Sequence, residues 1–172
     1  MTTPRLQAGA VALCAVVLSD TAWALEQQHE LGVGLGGAAL SVQSDVTLGP
    51  SFGAHYVYGL TDSLNLLAET GASFGVRGRS GVSALGHAGV GLGYVLDVLR
   101  WVPYFGLLGT GYLVTVDSQW VAGAAVALGL DYKVSRTFTV GFAARQHLLL
   151  TQMSTYPTYT TAHLRAEVVW GW

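Results

Sequence analysis

The sequence predicts an all-β fold: eight antiparallel strands closed up-and-down into a barrel that spans a lipid bilayer, preceded by a cleavable signal peptide. Three observations predict it. Charged residues make up 10% of the 172-residue chain and hydrophobic residues 51%, where soluble domains carry roughly 25% charge. Yet after residue 24 no window approaches the roughly 18 consecutive apolar residues that a spanning helix needs, so a closed sheet is the remaining way to satisfy a backbone in lipid. The second observation is a period-two alternation of apolar with small or polar residues in at least seven segments, which sends the two sets to opposite faces of a strand. The third is the last segment, from Thr160 to Trp172, where Leu164, Ala166, Val168, Trp170 and Trp172 alternate with His163, Arg165 and Glu167 and the sequence stops on aromatic residues of the apolar face.

Residues 1–24 read as a secretory signal, with Arg5 in the basic region, an apolar run from Ala8 to Leu18, and Ala22-Trp23-Ala24 as the cleavage site. Leu13 precedes Cys14, whereas a lipidated cysteine normally follows a small residue. Cleavage after Ala24 removes the only cysteine, which excludes disulfides and thiol catalysis from the barrel of residues 25–172. It also removes Arg5 and Asp20, of opposite sign, so the net charge of −2 persists and offers no basic surface to nucleic acid.

Strand 1, about His29 to Ser41, alternates Leu31, Val33 and Leu35 with Gly32, Gly34 and Gly36, and inward glycines suit a crowded lumen. Strand 2 sets Leu48, Phe52, Ala54, Tyr56 and Tyr58 outside against Gly49, Ser51, Gly53, His55 and Val57. After the Gly59 to Ser63 turn, strand 3 runs from Leu64 to about Phe74, with Asn65, Glu69 and Ser73 inside. Gly75 to Ser83, carrying Arg77 and Arg79, reads as a solvated loop. Strand 4, about Ala84 to Leu96, faces His87 and three glycines inward, and Asp97 to Val102 forms a turn, one helical turn at most, with Arg100 and Trp101 at the interface.

Strand 5 begins near Pro103 and reaches Leu113, but both faces are apolar or glycine and its phase stays open. Thr115 to Gln119 is a loop. Strand 6 faces Asp131 and Lys133 inward. Strand 7, after the Val134 to Thr137 turn, faces Arg145 and His147 inward, and Leu148 to Pro157 is the last loop before strand 8. Strands of roughly 10 to 13 residues suit a tilted crossing.

An even strand number returns both barrel termini to one side, which in outer-membrane barrels is the periplasm, the side of short turns. Tyr56, Tyr58, Tyr94, Trp101, Tyr132, Phe138, Trp170 and Trp172 form an aromatic girdle at that interface. A sparser ring of Phe52, Phe74, Tyr112, Trp120 and Tyr159 marks the other.

With the Ala22-Trp23-Ala24 site, the dyad pattern, the Tyr-Val-Tyr-Gly-Leu-Thr-Asp-Ser-Leu turn at 56–64 and the terminal Trp170-Gly-Trp172 in place, the chain resembles the small eight-stranded outer-membrane barrels of the OmpA and OmpX type. The resemblance implies a bacterial outer-membrane location, lipid and lipopolysaccharide as surroundings, insertion by the barrel-assembly machinery through the C-terminal strand, and a monomer. It also implies a charged cluster in the lumen.

Counted from the periplasmic end, Glu69, Arg145, Arg165 and Glu167 fall in one central layer, where opposite charges can offset a desolvation cost that isolated charges could not. Asp131 and Lys133 are expected as a second, lower pair. His55, His87, His147 and His163 are further polar lumen residues. A metal needs three or four ligands at one depth, and the histidines are scattered in height, so no metal site and no cofactor is expected. Arg77 and Arg79 are candidate contacts for lipopolysaccharide phosphates.

The leading functional reading is a non-enzymatic barrel, its lumen plugged by the charge network, with a structural role in the envelope or an interaction at the cell surface. The alternative is a narrow gated ion conductor in which the charged layer exchanges partners. A lipid A-modifying enzyme is the second alternative, but a lipid-facing His and Ser two apart are missing, since no His-x-Ser occurs. A soluble ligand-binding barrel would have the opposite polarity, apolar inside and polar outside.

Overall fold

The computed structural model describes residues 27–42, 45–77, 81–96, 100–115, 119–155 and 157–171. The expected signal peptide and Trp172 lie outside them. Eight strands follow in order: β1 (His29–Val42), β2 (Asp45–Gly59), β3 (Leu64–Arg77), β4 (Gly81–Val95), β5 (Trp101–Val114), β6 (Gln119–Lys133), β7 (Phe138–Leu148) and β8 (Thr158–Trp170), with a 3-10 turn at Leu150–Gln152. Each strand pairs antiparallel with the next, and β1 closes on β8 from His29↔Trp170 to Leu40↔Tyr159. Closure leaves no edge strand, so backbone donors and acceptors are paired without water.

Several boundaries differ from the sequence reading. The stretch 75–83 is not an extended loop: β3 and β4 stay paired out to Arg77↔Gly81. β5 begins at Trp101 rather than Pro103, whereas β8 begins at Thr158, directly after the loop expected to end at Pro157. The cause is the same each time. Polar and glycine-rich composition at 75–83, and an interface aromatic at Trp101, report surroundings, whereas a ladder continues wherever the partner strand offers backbone groups. The strands accordingly run from 11 to 15 residues, and the long connection is confined to the segment between β7 and β8.

Burial alternates along the strands. In β5 the pattern is strict, with Val102, Tyr104, Gly106, Leu108, Thr110 and Tyr112 turned inward, which resolves the strand whose faces the sequence leaves open. Its inner face is apolar because it packs on Leu67, Ala125, Ala127 and Ala143, and its outer face is apolar like that of every other strand. Outward side chains such as Leu35, Leu164 and Trp120 are 70%, 72% and 77% exposed, a continuous apolar belt that suits lipid rather than water.

The lower aromatic girdle, at the end where β1 starts and β8 finishes, has a member the sequence reading overlooked. His29 stacks on Trp170 at 5.6 Å and 8°, lies 5.0 Å from Tyr58, and bonds Tyr56 Oη through Nδ1 at 2.6 Å. Trp101 and Tyr132 meet at 4.8 Å nearby. At the upper end Phe52 and Phe74 stack on the outer surface, but Tyr112 and Tyr159 do not join them. Both are 0% exposed and point into the lumen, a correction to the outer ring. Tyr159 is in phase with His163 and Arg165 on β8, and its ring is taken up by a buried aromatic cluster.

Inward glycine makes room for the lumen side chains. A Cβ on Gly32 would lie 2.5 Å from the His55 ring and 2.6 Å from Glu167 Cγ. Gly32→Ala is therefore expected to lower stability by about 1–3 kcal/mol through overpacking, read as a lower urea midpoint for the barrel refolded in vesicles. An unchanged midpoint would mean that the lumen has slack at this level.

Candidate functional site

The lumen gathers the ionisable residues into two adjoining networks. In the first, Arg145 of β7 faces Glu69 of β3, with Nε 2.5 Å from Oε2. The second centres on Arg165 of β8, whose Nη2 donates to Asp131 Oδ2 at 2.8 Å and also contacts Glu167 Oε1, while Nη1 donates to Tyr104 Oη at 2.5 Å. The guanidinium lies 4.6 Å from the Tyr104 ring centroid, a cation–π position. His55 Nε2 donates to Glu167 Oε1 at 2.6 Å. All these groups are buried. Strand pairing explains the convergence: His55 lies beside Glu69 in the β2–β3 register and Gly32 lies between His55 and Glu167, so a side-chain-free position lets two strands reach across β1.

The structure thus brings Glu69, Arg145, Arg165 and Glu167 together, and it draws Asp131 into the Arg165 network. Register is the reason, since Asp131 and Arg165 both pair with Gly141, whose missing side chain leaves the space between them to the carboxylate. Lys133 lines a cavity of about 40 Å³ at the lower end with Glu30, Tyr104, Asp131, Arg165 and Glu167. Two cavities of about 10 Å³ lie higher, among His55, Glu69, His87, Arg145, His163 and Arg165. At roughly 10–15 Å³ per water, the first holds about three waters and the others about one each.

Glu30 and Tyr104 were not singled out from the sequence. Glu30 was legible, because it shares the phase of Gly32 and Gly34 on strand 1. Tyr104 was hidden by the open phase of strand 5.

A third group occupies the upper lumen. The rings of His87 and His147 are 5.2 Å apart, Tyr159 lies 4.8 Å from His147, and Tyr112 Oη bonds His147 Nδ1 at 3.0 Å. The expectation of histidines scattered in height is corrected for this pair, since His87 and His147 sit at nearly the same height above the lower ends of β4 and β7. His163 is held separately, with Nε2 2.9 Å from Ser51 Oγ. Above this group Leu40, Leu85, Val114, Val121 and Leu149 pack on Tyr112 and Tyr159 as an apolar cluster. Of the candidate lipopolysaccharide contacts, Arg77 ends β3, and Arg79 lies outside the described residues.

No protein-family model and no curated protein sequence matches this chain. Its fold is similar to that of Neisserial surface protein A (NspA), with a TM-score of 0.67 and 18% identity over 84% of this chain and 97% of that one. The N-terminal β-barrel domain of Pseudomonas aeruginosa OprF matches at 0.61 and 15% identity, covering 86% of this chain and all of that one (100%). Ail, the attachment invasion locus protein of Yersinia pestis, matches at 0.57 and 14%, covering 84% and 99%. At these identities the likeness is one of fold, and the fold is that of the small eight-stranded outer-membrane β-barrels of Gram-negative bacteria.

Proposed function

We propose that this chain is an integral outer-membrane barrel without enzymatic activity, both barrel termini periplasmic, whose lumen is closed by its own side chains and whose role is structural in the envelope or interactive at the cell surface. The observation that carries the reading is the stacking of two ion-pair networks beneath an apolar cluster, with cavities of about 10 Å³ between them among the described residues. An eight-stranded barrel has an interior just wide enough for side chains, and here polar and apolar layers fill it in turn. The continuous apolar belt supports lipid as the immediate partner, and the names of two structural neighbours, a surface protein and an attachment invasion locus protein, support the surface side of the reading. Lipid chemistry is disfavoured by placement, because His55, His87, His147 and His163 all point away from the lipid face.

A second reading, a narrow gated conductor, draws on one feature: Arg165 contacts both Asp131 and Glu167, so partner exchange is a local motion. The refolded barrel in a planar bilayer separates the two. Silence across a range of voltages is the expected result, and resolved ion-selective openings of the unmodified protein would sink the closed-lumen reading.

A further inference from the structure

We propose that Glu69, His87 and His147 form a binding site for one divalent transition-metal ion, with zinc the fitting class, inside the upper lumen. One ligand atom from each residue lies within 4.8 Å of the others, and all three residues are buried. A triangle of that side has its centre about 2.8 Å from each corner, so side-chain shifts of under about 1 Å reach the 2.0–2.2 Å of nitrogen and carboxylate ligation. Two His and one carboxylate is a ligand set that zinc uses.

The hydrogen bonding already present leaves the needed lone pairs open. His147 commits Nδ1 to Tyr112 Oη, and its Nε2 is buried without a protein partner. His87 Nδ1 is likewise buried and unpartnered. Glu69 turns Oε2 to Arg145 and leaves Oε1 buried with none. Buried polar atoms without partners are costly, and a cation shared by these three neighbouring residues would satisfy one such atom on each.

The surroundings have the form of a supporting shell. Tyr112 Oη is bonded to Thr110 Oγ1 as well as to His147, which fixes the imidazole ring and leaves Nε2 as the ligating nitrogen. Arg145 orients the Glu69 carboxylate and, as a neighbouring cation, sets the affinity below that of a site with uncompensated anionic ligands. The apolar cluster over Tyr112 and Tyr159 roofs the site, so the ion enters while the barrel folds. The inference stands whether or not the lumen conducts.

The test refolds the full protein into lipid vesicles with micromolar Zn²⁺ present or added only afterwards, strips free ion with chelator, and measures retained metal. One zinc per barrel is expected when the ion is present during refolding, and far less when it is added later. His87→Ala and His147→Ala are expected to weaken retention at least tenfold, Tyr112→Phe about tenfold, and His29→Ala, outside the lumen, not at all. Folding of each variant is checked by its heat-dependent gel mobility. If the lumen variants do not fold, Co²⁺ in the parent decides: intense visible d–d bands of a low-coordinate ion support the site, and their absence overturns it. No retained metal, or retention lost in His29→Ala and kept in both lumen histidine variants, overturns it as well.

Discussion

Arg165→Leu is expected to lower the unfolding free energy of the barrel by about 3–5 kcal/mol. The side chain it removes is the shared partner of Asp131, Glu167 and Tyr104, and the two carboxylates stay behind where Glu167 is 1% exposed. Breaking a buried network from its cationic centre is worse than losing the whole network, because uncompensated charge costs more than the pairing gains. The double variant Arg165→Leu/Glu167→Gln should therefore recover part of the loss, and a triple variant that adds Asp131→Asn more. Urea titration of vesicle-refolded protein measures all three. A single-variant cost below about 1 kcal/mol, the range of exposed pairs, would mean that water floods the lumen and screens these charges.

Glu69→Ala acts on the other network and should be felt in two observables. It strands Arg145, itself 7% exposed, with a stability loss of about 3 kcal/mol. It also deletes the carboxylate that lines both small cavities, merging them beside two guanidinium groups. Small anion-preferring openings are the expected result in planar bilayers, since rings of arginine select anions, against silence in the parent. A variant that loses stability but stays silent would assign closure of the lumen to the apolar cluster above rather than to the ion pairs.

Much of this architecture is legible in the residues. The outward set Leu31, Val33 and Leu35 and the inward set His163, Arg165 and Glu167 are read from period two alone, because lipid outside and a polar interior impose opposite chemistry on the two faces. β5 defeats that reading, because its inner side chains Val102, Tyr104 and Leu108 belong to a cluster with Ala125, Ala127 and Ala143 and are as apolar by residue type as the lipid face, although Tyr104 Oη meets Arg165. Tyr159 shows a different failure: the alternation on β8 already places it inside, but a tyrosine near a strand end was assigned to the interface by residue type. Depth is the least legible quantity. Counting along strands finds the Glu69, Arg145, Arg165 and Glu167 layer, yet it misses that Asp131 and Arg165 share Gly141 as a register partner and that Glu69 lies within 4.8 Å of the His87–His147 pair. Register between neighbouring strands decides which inward residues meet, and counting along single strands does not supply it.

The β1–β8 seam joins the first strand to the last, with His29 stacked on Trp170 at its lower end. No intermediate length of chain can make that seam. A chain that lacks β8 presents two open edges in the bilayer, on β1 and on β7, whose unpaired amides each cost several kcal/mol in hydrocarbon. Barrel closure is thereby a test of completeness: a barrel without β8 has no stable resting place in the membrane, and the β1–β8 pairing licenses all the other strands to stay.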